Sequence, residues 1–145
     1  MSGAADRTRS RAVATWLALV AGTLGAHRFY LHGARDAVAW LHVPATLIGA
    51  YGWWRMRMFG VDDALGSLLV LCLGAVVAAS MLQAIVYGLT GDERWAERHG
   101  AQPARRSAWP VVIAVVLAVA IGAAATMATI ALAAQRYFES QSAVR

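Results

Sequence analysis

Lysine is missing from this sequence: all thirteen Lys+Arg positions among the 145 residues are arginine. There is one cysteine and there are three prolines. A single thiol, Cys72, excludes an intrachain disulfide and any thiolate metal cluster. Its place inside an apolar run predicts a small buried hydrophobe. Charge is scarce at 14% of residues and is absent from Ala64 to Thr90 and from Ser107 to Gln135. Each of these gaps exceeds the roughly 20 apolar residues that a helix needs to cross about 30 Å of hydrocarbon, so the usual balance of a soluble domain is excluded.

What is present is apolar. Hydrophobic residues make up 59% of the chain and the mean hydropathy is +0.52. The net charge of +5 comes from short arginine clusters between apolar runs, with no continuous basic face of the kind that binds nucleic acid. Anionic lipid headgroups are the fitting partners, together with the bilayer itself, and other membrane proteins or a second copy of the chain are further candidates. Arg7, Arg9 and Arg11 precede an apolar stretch as in a signal peptide, but no small-x-small cleavage site follows, which predicts an uncleaved first helix.

Four apolar segments stand out, at about Ala12 to Leu31, Ala37 to Trp54, Ala64 to Leu89 and Trp109 to Ala134. Barrel strands alternate and are shorter, so helices are the expected elements. The expectation is an all-α integral membrane bundle of about four transmembrane helices, with a short interfacial helix in the last loop. The chain divides into a basic tail (1–11), a helical hairpin (12–63), a second helix pair (64–135) with its connector (90–108), and a C-terminal tail (136–145).

The purely apolar part of the first segment, Ala12 to Ala26, is only about 22 Å long at roughly 1.5 Å per residue. Either the helix runs on through His27 and Arg28 to Leu31, with the polar pair at a headgroup boundary, or the bundle shields that pair. Small residues at a spacing of four, Ala14, Ala18, Gly22 and Ala26 in the first segment and Ala114, Ala118, Gly122 and Thr126 in the last, predict seams of close helix packing. Pro44 predicts a bend near His42. In the last loop, Thr90 and Glu93 have capping-box spacing ahead of a short helix over about Gly91 to His99, with Trp95 as its interfacial anchor. Trp16, Trp40, Trp53, Trp54 and Trp109 also lie near segment ends, as belt aromatics do.

The stretch "LGAHRFYL" at 24 to 31, closing one apolar helix and followed within a few residues by a second, resembles the TM-two (two-transmembrane-helix) domain. The resemblance rests on Gly25, His27, Arg28, Phe29, Tyr30 and Leu31, then on Trp53 and Trp54, and covers about residues 11 to 63. His32 stands where that family has Gly. The resemblance implies a bacterial membrane protein with an additional C-terminal helix pair, and it implies no particular activity.

Arg28 in or near hydrocarbon calls for a partner, because an unpaired arginine costs about 2.5 to 3.5 kcal/mol at a helix centre. The candidates are Asp36, Asp62, Asp63 and lipid phosphate. Two crossings counted from the N-terminus leave Asp62 and Asp63 on the face opposite Arg28, so Asp36 or lipid is preferred unless the first segment is re-entrant. With termini on one side, seven arginines face six, and the positive-inside rule does not orient the chain.

No nucleophile–base pair and no paired carboxylates sit within reach of one another, so no enzyme is expected. His27, His32, Asp36 and His42 show no recognised zinc spacing, and no metal or cofactor is expected. The reading is a multi-pass protein of the bacterial cytoplasmic (inner) membrane with a structural or interaction (scaffold) role. A small oligomeric transporter or channel component is the alternative.

Overall fold

The computed structural model describes residues 9–99 and 108–142. The expectations for residues 1–8, 100–107 and 143–145 lie outside them. Among the described residues every regular element is helical: α1 (Arg11–Ala21), a 3-10 turn (Gly22–Leu24), α2 (Ala26–His32), α3 (Ala37–Phe59), α4 (Ala64–Leu89), α5 (Asp92–His99) and α6 (Trp109–Ser142). Two of them, α4 and α6, are long and apolar enough to cross a membrane.

The first apolar segment is not one helix. Its hydrogen-bond ladder stops at Gly22–Leu24, and Gly25 takes φ 74°, ψ 13°. That left-handed conformation costs a residue with a Cβ about 1–2 kcal/mol. A Cβ at Gly25 would also lie 2.6 Å from the Ala39 carbonyl oxygen on α3. The chain turns there and α2 runs back beside α1. The backbone N–H of Ser10 donates to the Tyr30 hydroxyl at 2.9 Å, and Leu31 is buried with Ala14 and Trp95. The sequence therefore closes a helical hairpin within residues 10–32, where a single helix was expected.

The start of α1, the end of α4 and α5 meet at one end of the bundle. The Arg11 guanidinium donates to the Thr90 carbonyl and pairs with Asp92 at 3.3 Å. From that end α3 runs to the opposite end, α4 returns, and α6 descends again. Trp16 Nε1 donates to the Pro110 carbonyl near the top of α6, and Arg136 near its bottom donates to the carbonyls of Val61 and Asp62 between α3 and α4. At roughly 1.5 Å per residue α6 is about 51 Å long, so it outruns the bilayer. It continues as helix into the expected C-terminal tail as far as Ser142, held by Gln135–Glu139 and Arg136–Glu139 contacts at 2.7 and 2.9 Å.

Small residues carry the packing, as bilayer helices require. Ala14, Ala18, Ala114 and Ala118 are fully buried, and Ala18 and Ala118 join Met81 and Ala84 in one cluster. Gly22 meets Ser80, and Gly122 meets Met81. The expected ladders fail at their last rungs. Ala26 lies beyond the break, in α2. Thr126 is exposed, and Thr129 packs on Gly74 in its place. A strict step of four advances about 400° on a helix of 3.6 residues per turn, so the row drifts about 40° per rung. The inward-facing line instead runs from buried 114 and 118 through half-buried 122, 125, 129 and 132 to Arg136. Thr129→Leu should overfill the seam and cost about 1–3 kcal/mol, while Thr126→Leu should stay within about 0.5 kcal/mol of wild type. Reversible unfolding in detergent measures both.

A seam absent from the sequence reading joins α3 to α4. Gly49 faces Leu73, and Gly52 faces Leu69, Val70 and the Gly66 carbonyl, so closely that any Cβ would collide. Three further expectations are corrected. Cys72 is exposed because it lies on the outward side of α4. Thr90 forms no capping box, since its hydroxyl donates back to the Val86 carbonyl at 2.7 Å. Trp95 is only 4% exposed, because its indole N–H donates inward to the Arg9 carbonyl at 2.7 Å; α5 is anchored on the bundle through this residue.

Candidate functional site

The polar residues of the "AHRFYLH" helix divide between two environments. Arg28 turns outward along the α2–α3 corner, and its Nε donates to Asp36 Oδ2 at 2.8 Å. The other oxygen of Asp36 accepts from the Val38 N–H and caps α3. His32, itself exposed, lies 3.5 Å from the same carboxylate. Asp36 is thus the partner of Arg28. Asp62 contributes only its carbonyl oxygen, to Arg136, and Asp63 serves a different arginine.

That arginine is Arg55, whose Nε and Nη2 donate to Asp63 at 2.6 and 3.1 Å. Asp63 also accepts from the Gly66 N–H and caps α4. The two corners repeat one design, Arg-x4-Gly-x2-Asp: Arg28, Gly33 and Asp36, then Arg55, Gly60 and Asp63. Gly33 and Gly60 have φ 80° and 88° with ψ near 180°, a region open essentially to glycine. Each donates its N–H to the carbonyl four residues back. Each corner closes one helix and caps the next with a carboxylate that an arginine from the preceding helix holds in place. The signal lay in the sequence as a repeat with a period of 27, outside the histidine motif.

The arginine hydrogen bond holds each aspartate below the usual carboxylate range. A depressed native pKa stabilises the fold above the unfolded-state value of about 3.9, and the contribution is lost as pH falls through the lower native value. Asp36→Asn and Asp63→Asn should each flatten the acid limb of the stability–pH profile below about pH 4. Arg55→Ala should destabilise at least as much as Arg28→Ala in detergent unfolding, since Arg55 makes two hydrogen bonds to its aspartate where Arg28 makes one.

His27 goes the other way, into the bundle. It is fully buried, and its Nε2 bonds to Gln83 Oε1 on α4, which also accepts from the Tyr87 hydroxyl at 3.3 Å. The His42 ring on α3 is 5.9 Å away, centroid to centroid, at 80°. His42 Nδ1 bonds to the Val38 carbonyl at 2.8 Å, the carbonyl four residues back, just ahead of Pro44. Nearby, Thr46 Oγ1 donates to the Thr23 carbonyl at 2.5 Å where the 3-10 turn leaves it free. His27 Nδ1 has no hydrogen-bond partner among the described residues. Residues that the sequence placed on three separate segments, His27, His42, Gln83 and Tyr87, thereby surround the helix break. His32 and Asp36 do not join them, and no group of three or more His, Cys, Asp or Glu with metal-binding geometry occurs among the described residues.

Of the six tryptophans, Trp40, Trp53, Trp54 and Trp109 are exposed. Apolar side chains point outward along α4 and α6, including Leu68, Leu82, Val116, Ile121 and Ile130. With arginines gathered at the corners and polar side chains turned inward at the helix break, these features define a helical membrane protein. Residues 7–56 match the family model of the TM2 domain. The match runs from before α1 into α3 and takes in the Arg28–Asp36 corner, but it stops short of the Gly60–Asp63 corner, inside the 11–63 span expected from the motif. No curated protein and no solved structure matches the chain.

Proposed function

We propose that the chain is a multi-pass protein of the bacterial cytoplasmic (inner) membrane with a structural or interaction (scaffold) role. One observation carries this reading: the polar contacts are spent inside the chain, and the outward surface of the long helices is apolar. Arg11, Arg28, Arg55 and Arg136 all pair with acids of the same chain. Outward-facing Val116, Ile121, Met127 and Ile130 on α6 suit lipid, other membrane proteins or a second copy. Arg35, Arg57, Arg94 and Arg98 are exposed and suit anionic headgroups. The reading includes no catalytic role.

A small oligomeric transporter or channel component is the second reading. It is favoured by the broken first segment with His27 and Gln83 behind it, since broken helices and buried polar groups accompany solute paths. In-cell photo-crosslinking from Val116 and Met127 separates the two. A scaffold gives a discrete adduct of defined mass, with no ion or dye flux in liposomes. Flux above empty vesicles without such an adduct would favour transport and overturn the first reading.

A further inference from the structure

We propose that His27 and His42 form a two-imidazole binding site for a soft monovalent cation of the Cu(I) or Ag(I) type. The site goes beyond the structural role above and does not depend on it. Each histidine has one nitrogen committed to a carbonyl oxygen: Nε2 of His27 to the amide oxygen of Gln83, and Nδ1 of His42 to the Val38 carbonyl. A carbonyl can only accept, so both rings carry their proton on that nitrogen. The lone pairs are left on His27 Nδ1 and His42 Nε2. Donating the second N–H to a carbonyl is the support that metal-bound imidazoles almost always have, because it sets the tautomer and raises the basicity of the ligating nitrogen.

The spacing fits a shared ion. A metal–nitrogen bond of about 2 Å on each side, plus roughly 1 Å from nitrogen to ring centre, separates the two ring centres by about 6 Å, against the observed 5.9 Å. Near-perpendicular rings, at 80°, keep their edges apart around such an ion. The fully buried His27 Nδ1 would otherwise forfeit a hydrogen bond with nothing in return.

Charge selects the class of ion. The two ligands are neutral, Tyr87 is already bonded to Gln83, and among the described residues no carboxylate joins them; Asp36 is committed to Arg28. A divalent ion would enter a weakly polar interior without a counter-charge, and desolvation cost rises steeply with charge. One positive charge and two nitrogen donors suit a monovalent ion that accepts imidazole.

The test uses the full chain in detergent with Ag(I), a redox-inert probe, in a Cys72→Ser background that removes the one competing thiol. One equivalent should bind, and 15N-labelled imidazole spectra should show a shift at His27 Nδ1. His42→Ala, at a half-buried position that should leave the fold intact by circular dichroism, should weaken binding more than about tenfold. Gln83→Leu, which removes the support but neither ligand, should weaken it about 10–100-fold. No stoichiometric Ag(I) binding, equal binding in His42→Ala, or binding of Zn(II) as tight as that of Ag(I) would overturn the proposal.

Discussion

Single cysteines at Ser10→Cys, Arg35→Cys and Glu97→Cys are expected to react with an impermeant maleimide from one side of the membrane, and Val61→Cys and Gln141→Cys only from the other. The Cys72→Ser background removes the exposed native thiol. The expectation follows from the contacts at the two ends of the bundle. Arg11 touches Thr90 and Asp92, the Arg9 carbonyl takes the Trp95 indole, and Tyr30 reaches back to Ser10, so α1, the α2–α3 corner and α5 share one end. Arg136 reaches Val61 and Asp62 at the other. A first segment that crossed the bilayer would instead put Ser10 with Val61 and Gln141; that labelling pattern would reject the hairpin.

The same geometry bears on orientation. Among the described residues Arg9, Arg11, Arg28, Arg35, Arg94 and Arg98 gather at the α1 end, against Arg55, Arg57 and Arg136 at the far end. Six against three is a bias the positive-inside rule can use, whereas a first segment read as a full crossing divides the thirteen arginines seven to six. The α1 end is therefore expected to face the cytoplasm, and quenching of the three near-side labels from the cytoplasmic side checks it.

The helical class, the two long spans, the short helix after Gly91 and the Arg28–Asp36 pair were legible from residue patterns, because each depends on local composition or on neighbours in the chain. The hairpin was not. "GTLGAHRFY" offers a helix as many apolar residues as a continuous span would, and only the meeting of Gly25 with Ala39, fourteen residues on, shows why the break is kept. The His27–Gln83 contact spans 56 residues and no local pattern announces it. Trp95 shows a different limit: an aromatic beside a membrane helix satisfies the same pattern whether its indole meets lipid or, as here, a backbone carbonyl of the same chain.

Gly25→Ala is expected to be among the most damaging single substitutions in the chain, at about 2–5 kcal/mol. The left-handed backbone alone costs an alanine about 1–2 kcal/mol. The new methyl would sit 2.6 Å from the Ala39 carbonyl oxygen and 3.2 Å from its Cα. Main-chain atoms inside a helix cannot swing aside, so α2 and α3 must separate, an overpacking cost of about 1–3 kcal/mol. Gly91→Ala is the matched control: nothing lies within 4 Å of its Cβ position and its φ is not positive, so it should stay within about 0.5 kcal/mol of wild type. The damage should also be directional. Forcing α2 from α3 pulls His27 from His42 and loosens Tyr30 from Ser10, so Gly25→Ala should open the Ser10 and His27 amides to solvent exchange while the α3–α4 seam at Gly49 and Gly52 stays protected. Hydrogen exchange resolved by segment measures this; uniform loss of protection across α3 and α4 would show that the hairpin is not a separate unit of the fold.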